Sequence, residues 1–190
     1  VDGIDALLRD IRARRGEFRA QRHVSADIVE RFKKIGVYRS LVAKTFGGDE
    51  SSPADFCRLI EKISEADGAC GWVASFGVSS TYLAALPLET LRELYAEGPD
   101  IVFGGGIYPL QPAKSVDGGF VVNGRWKFAS GCTGAMMMSA GISIEGDQTS
   151  GLPRVAVLPA EKARIEENWD VIGLEGTGSH DVVIENAFVP

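Results

Sequence analysis

Val122-Asn123-Gly124-Arg125-Trp126-Lys127-Phe128-Ala129-Ser130-Gly131-Cys132 is the stretch on which the reading of this chain turns. With Phe120 and Val121 before it, the stretch has the period of a strand, and Asn123-Gly124 marks a tight turn. It closes on an aromatic two residues ahead of Ser-Gly. At a strand end that spacing offers a flat stacking surface beside a hydroxyl and free backbone groups, which suits a planar heterocycle. An edge strand with a plain turn has the same spacing, so the residues alone leave both readings open. Strand periodicity would turn Phe128 and Ser130 to one side of a strand Phe120 to Ala129, toward a cleft between the two halves of the chain.

Around this stretch the chain divides in two. Strands are predicted near 101–106, 112–116, 119–129, 136–144, 154–158, 163–169 and 181–188, with no helical intervals, which argues for a small antiparallel barrel or sandwich. Upstream the period changes. Ile4, Leu7, Leu8 and Ile11 recur at helical spacing in a helix from Asp2 to Gln21. Ser25 is placed to cap a second helix through Ile28, Val29, Phe32 and Ile35, with Gly36 as its stop. Phe56, Leu59, Ile60 and Ile63 repeat the stripe after Pro53, and Leu88, Leu91, Leu94 and Tyr95 form a last short helix. The first hundred residues carry 9 glycines and 30 charges, the last ninety 14 glycines and 16 charges. The predicted organisation is therefore α+β, with a helical domain over 1–99 and a β domain over 100–190.

Composition narrows the function classes. Against 20 Lys and Arg stand 26 Asp and Glu, a net charge of −6, the wrong sign for a general nucleic-acid or membrane-surface binder. An apolar fraction of 45% with 24% charge describes an ordinary globular protein. Cys57, Cys70 and Cys132 are odd in number and far apart, as expected of reduced thiols in the cytoplasm. Gly68 to Leu88 is free of formal charge over nearly the ~20 residues that span a bilayer. Its serines, threonine and glycines make it instead a buried helix of the protein, with burial left incomplete for a further helical layer. The first residues show no signal peptide, and the absent initiator Met suggests a piece of a longer chain.

The common chemical signatures are absent: no P-loop, HExxH, CxxC or GxSxG is present, and Gly104-Gly105-Gly106 is not a GxGxxG opening a helix. His23 and His180 lack partners at metal-ligand spacing, so no metal site is expected. Arg12, Arg14, Arg15, Arg19 and Arg22 spread around a helix and read as a solvated face. Gly176-Thr177-Gly178-Ser179 has the composition of an anion-cradling turn, and equally of a turn between strands.

The order of a helical half and a β half, the segment Val42-Ala43-Lys44-Thr45-Phe46-Gly47-Gly48, the phrase VNGRWKFASG and the ending GLEGTGSHDVVIENAFVP together resemble the acyl-CoA dehydrogenase superfamily. The likeness is greatest to its flavin-dependent monooxygenase branch, including the oxygenase components of p-hydroxyphenylacetate and secosteroid hydroxylases. The resemblance implies a helical and a β domain of that fold, with a C-terminal helical domain beginning where this chain ends at Pro190. It also implies a homo-oligomer, dimeric or tetrameric, assembled through that domain. The expected cofactor is reduced FMN or FAD delivered by a separate flavin reductase. The expected chemistry is hydroxylation of a small, aromatic substrate through a flavin C4a-hydroperoxide.

By the same resemblance Phe128 matches the aromatic beside the flavin ring and Ser130 the hydroxyl near flavin N5, with Gly131 and Trp126 as further cofactor residues. Ser79, Tyr82 and Tyr108 are the expected substrate-pocket residues. The chain departs from the branch in three places: Ser79 and Tyr82 stand where a histidine is common, and a tyrosine phenol is a poor general base at neutral pH; Gly104-Gly105-Gly106 stands where polar serines are common; Glu175 stands where an arginine is usual. An acyl-CoA dehydrogenase is the alternative, though the Thr-Glu-Pro type loop of that group is replaced by Gly106-Ile107-Tyr108-Pro109-Leu110-Gln111. A non-catalytic binding module is the third.

Overall fold

A computed structural model describes residues 3–144 and 154–190. The chain forms two compact units, one of residues 1–102 with 171–177, the other of 103–170 with 178–190.

The first unit is built from amphipathic helices. Helices α1 (Ile4–Gln21), α2 (Ala26–Lys34) and α3 (Pro53–Ala66) bury the stripes that their spacing predicts. The predicted start at Asp2 lies outside the described residues. Leu7, Leu8, Ile11 and Phe18 from α1 meet Ile28, Val29 and Phe32 from α2 and Ile63 and Ala66 from α3 in one core. Local chemistry sets the ends. Pro53 occupies the first turn of α3, while the Ser52 hydroxyl accepts the Asp55 N–H at 3.1 Å. Asp67 is extended, so it ends α3, and its carboxylate accepts the Cys70 N–H at 2.9 Å to begin α4 (Gly68–Ser75).

The uncharged stretch beginning at Gly68 is not one buried helix. α4 gives way to a 3-10 turn at Phe76–Ser79, then α5 (Ser80–Leu83), before α6 (Leu88–Leu94). Serine and threonine hydroxyls bond back to carbonyls of the preceding turn: Ser75 to Trp72, Ser80 to Gly77, Thr81 to Val78. Such back-bonding tightens and bends a helix. Trp72 and Tyr82 are exposed, so burial along the stretch is incomplete, as expected. Among the described residues no helix is long and apolar enough to cross a membrane.

The arginines of α1 do more than face solvent, contrary to the expectation for them. Arg14 pairs with Glu17 at 2.7 Å and also reaches Asp27. Its guanidinium, with a bond from Ser25, holds the Glu17 carboxyl down at about 2. Arg15 donates to the Ala66 carbonyl at 2.6 Å and the Glu65 carbonyl at 3.2 Å, satisfying the open C-terminus of α3.

The second unit is a single curled sheet. Its strands are β1 (Phe103–Val116), β2 (Gly119–Trp126), β3 (Met137–Ile144), β4 (Arg154–Pro159), β5 (Ala163–Glu166) and β6 (Asp181–Val189), ordered β4-β3-β1-β2-β6-β5. Four expectations are corrected here. The sheet is a half-barrel left open between β4 and β5, both short, rather than a closed barrel or a sandwich. It is mixed rather than antiparallel, because β1 runs parallel to β3, and residues 117–136 provide the long crossover that a parallel pair requires. Asn123-Gly124 is not the hairpin turn: it sits at a register shift in β2, with the Asn123 side-chain oxygen accepting the Asn186 N–H at 2.7 Å. The β1–β2 hairpin turns instead at Asp117-Gly118, where Gly118 has φ +77°. The two short strands predicted at 101–106 and 112–116 are one strand with an irregularity between Gly106 and Gln111.

Candidate functional site

β2 stops at Trp126, three residues earlier than its sequence suggests, and the segment directly after it carries the candidate site. Trp126 faces the sheet's core, is 1% exposed, and donates its ring N–H to the Gly141 carbonyl at 2.8 Å. The indole is thereby enclosed in the core of the sheet. Alternation along β2 points Val122 and Trp126 inward, and the core of the unit forms around them.

At Phe128 the backbone reverses hand, with φ +57°. Phe128 and Ser130 therefore share no strand face. The turn is held from outside by the Ala129 N–H, which donates to the His180 carbonyl at 3.0 Å, and from within by the Ser130 N–H, which donates to the Phe128 carbonyl at 2.8 Å. The result is an aromatic ring that is 67% exposed yet fixed at its root. The Phe128 ring meets Trp169 edge to face, with centroids 6.1 Å apart and planes at 85°. Trp169 is anchored in turn, since its backbone N–H donates to His180 Nδ1 at 2.9 Å. When neutral, His180 therefore keeps its proton on Nε2.

Ser130 is 6% exposed, and its hydroxyl lies 2.7 Å from that of Ser179, which is 4% exposed. Gly131 is left-handed, φ +71°, and opens the 3-10 turn Cys132–Gly134. The Cys132 thiol donates to the Gly178 carbonyl at 3.3 Å. Burial pushes that thiol up to about 12, so it is a packed, unreactive group. Beneath the loop run Gly104, Gly105 and Gly106. A side chain on Gly105, at φ +124°, would place its Cβ 2.3 Å from the Ser139 carbonyl oxygen, so only glycine fits there.

A planar aromatic ligand matches this arrangement. An exposed ring held rigid by its own backbone and by Trp169 gives a stacking face at little entropic cost, and the Ser130 hydroxyl, paired with that of Ser179, lies two residues away along the same turn. Gly178, Ser179 and His180 belong to the stretch GLEGTGSHDV, and three of their groups close over 129–132. Trp169 is a site residue that the sequence reading passes over, although a lone tryptophan within Glu166-Glu167-Asn168-Trp169-Asp170 is a signal of its own.

No family model matches the chain. An indole-3-acetate monooxygenase of Acinetobacter baumannii is 59% identical over 189 residues, covering 98% of this chain and 49% of that protein. The flavin-dependent monooxygenase oxygenase subunit HsaA of Rhodococcus jostii is 34% identical, over 98% and 49%. The chain is a homologue of flavin-dependent monooxygenase oxygenase components. The crystal structure of 3-HSA hydroxylase from Rhodococcus sp. RHA1 has the same fold at a TM-score of 0.89, with 34% identity over 98% of this chain and 50% of that one. The chain thus spans about half the length of the relatives it matches.

The other expected residues belong to both units. Ser79 is buried in the 3-10 turn before α5, and Tyr82 is exposed on α5. Tyr108 is exposed on β1, in the other unit. Gly176-Thr177 is not a free cradle. The Thr177 N–H already donates to the Leu174 carbonyl at 3.0 Å, and a Cβ on Gly176 would lie 3.1 Å from that of Phe18.

The Glu175 carboxylate accepts from Arg19 at 2.7 Å and from Arg22 at 2.8 Å. Arg22 also donates to the Val171 carbonyl at 3.1 Å. The acidic residue where an arginine is usual is therefore matched by two arginines of α1 and its C-terminal cap. They bind the strap 171–177 beside a cavity of about 250 Å³ lined by Arg15, Asp67, Ile172 and Leu174 among others.

Proposed function

We propose that this chain is part of the oxygenase component of a two-component flavin-dependent monooxygenase that hydroxylates a small aromatic substrate. The observation that carries the reading is 59% identity over 98% of the chain to a protein whose name gives its substrate as indole-3-acetate. An indole carrying an acidic side chain is accordingly the first substrate to test. The cofactor is reduced FMN or FAD, supplied by a separate reductase; when bound, it activates dioxygen for transfer of one oxygen atom.

This chain's own residues support that role in definite ways. Phe128 offers the stacking face for the ring, and Trp169 keeps that face from folding away. Ser130 sits at the ring's N5 side, with Gly131 allowing the backbone to turn under it. Ser79, Tyr82 and Tyr108 contribute to the substrate pocket. Homo-oligomerisation through a further helical domain is part of the same proposal. So is a cytoplasmic setting, in keeping with three cysteines that are all free.

The test uses the purified full-length protein with a flavin reductase, NADH, indole-3-acetate and ¹⁸O₂. A product heavier by one ¹⁸O atom, formed only when flavin is present, is the expected result. Oxidation of NADH to completion with indole-3-acetate and a panel of phenols unchanged would overturn the reading.

A further inference from the structure

A serine hydroxyl has one proton and two lone pairs, so in a pair 2.7 Å apart one oxygen donates and the other accepts. The two arrangements differ in what Ser130 has left to offer a ligand. If Ser179 donates, Ser130 keeps its proton free and presents a donor. If Ser130 donates, it presents only lone pairs and is an acceptor.

The backbone around the pair leaves little freedom to avoid this choice. Ser130 is tied through its N–H to Phe128 and bridges to Gly105, while residues 178–180 are tied to 129–132 through the Gly178 and His180 carbonyls. Both side chains are almost wholly buried. In that enclosed setting the two hydroxyls lie within hydrogen-bonding reach of each other.

The ligand of the proposed function selects between the two. A reduced flavin carries a hydrogen on N5 and needs an acceptor there, whereas the oxidised ring has a bare N5 and needs a donor. Resting on the assignment of Ser130 to N5 in that function, we propose that Ser179 is a positioning residue: it takes the Ser130 proton and turns a Ser130 lone pair toward the ring, so that the site prefers reduced flavin over oxidised.

The experiment measures dissociation constants of reduced flavin, anaerobically, and of oxidised flavin, for the full-length protein and its Ser179 variants. Ser179→Ala leaves the Ser130 proton without its buried partner whenever Ser130 accepts. It should raise the Kd of reduced flavin about three- to tenfold, with less than a twofold change for oxidised flavin. A tenfold change in that ratio makes the midpoint potential of bound flavin about 30 mV more negative. Ser179→Thr keeps the hydroxyl and should restore the ratio to within twofold. If Ser179→Ala does not fold, Ser179→Cys, close in shape and a weak hydrogen-bonding group, reads the same ratio.

Equal weakening of both redox forms, or selective loss of the oxidised form, overturns the proposal while flavin binding itself stands. Failure of the wild-type protein to bind flavin in either form overturns the functional reading, and this inference with it.

Discussion

The strap 171–177 and the loop 127–132 are both short turns rich in small residues, and they are secured by opposite means. The strap is held by charge, with one carboxylate between two arginines whose side chains remain partly in water. The loop is held by neutral groups, namely a backbone bond to His180, a thiol bond to the Gly178 carbonyl, a hydroxyl pair and a floor of glycines. Partly solvated ion pairs are individually weak, screened by salt and tolerant of small shifts. Buried neutral hydrogen bonds are indifferent to salt but are lost with a displacement of a few tenths of an ångström. Attachment suffices for the strap, whereas the loop presents a ring and a hydroxyl whose geometry matters.

The sharpest way to break the contrast is to disturb the glycine floor. Gly105→Ala brings a Cβ to 2.3 Å from a backbone oxygen at φ +124°, where neither partner can yield cheaply. A loss of about 3 kcal/mol or more is expected in urea unfolding. A loss under about 1 kcal/mol would show that the loop is loosely held. Next, Trp126→Phe keeps an aromatic ring but removes the indole N–H, stripping the Gly141 carbonyl of its donor and leaving a small void in the core. The expected cost is about 1–3 kcal/mol, unchanged between low and high salt.

Glu175→Gln tests the other side. With two of the three side chains substantially solvated, its cost should be no more than about 0.5–1 kcal/mol at low ionic strength and should vanish in about 1 M salt. A salt-independent cost would mean that the strap is held as the loop is. The smallest effect concerns acid. Glu17 has a carboxyl lowered to about 2 and Asp27 one lowered as well, both chiefly by hydrogen bonds from Arg14. A depressed folded-state carboxyl stabilises above its unfolded value and loses that contribution as pH falls through the folded one. The melting temperature should therefore decline between pH 4.5 and about 2, and decline less in Glu17→Gln. Calorimetry across that interval measures it.

The striped helices are legible in the sequence because their stripes are long, whereas the cap read there, Ser25, makes no side-chain capping bond and the working caps are Ser52 and Asp67. The strands are legible in place, though two of those expected are the single strand Phe103–Val116, but their pairing is not. Nothing in Phe103–Val116 announces that it lies parallel to Met137–Ile144, since register depends on what a crossover brings near. Phe128 is instructive for the site. Its alternation with Trp126 predicts a continuing strand, yet its positive φ is imposed by a bond between Ala129 and His180, fifty-one positions along the chain. The Ser130–Ser179 pair and the arginine clamp on Glu175 are hidden for the same reason. The residue types are visible, and their meeting depends on the fold.

The route of the chain has a consequence for synthesis. The helical unit draws residues 171–177 from beyond nearly all of the sheet, and the sheet then takes its last strand from the residues after them. A ribosome releasing this chain in order exposes the finished α1 well before Gly176 arrives to pack on Phe18. The two units are therefore completed almost together, as residues 171–190 emerge. No single cut in the gene separates them, and the helical segment expressed by itself would lack the piece that its arginines are built to hold.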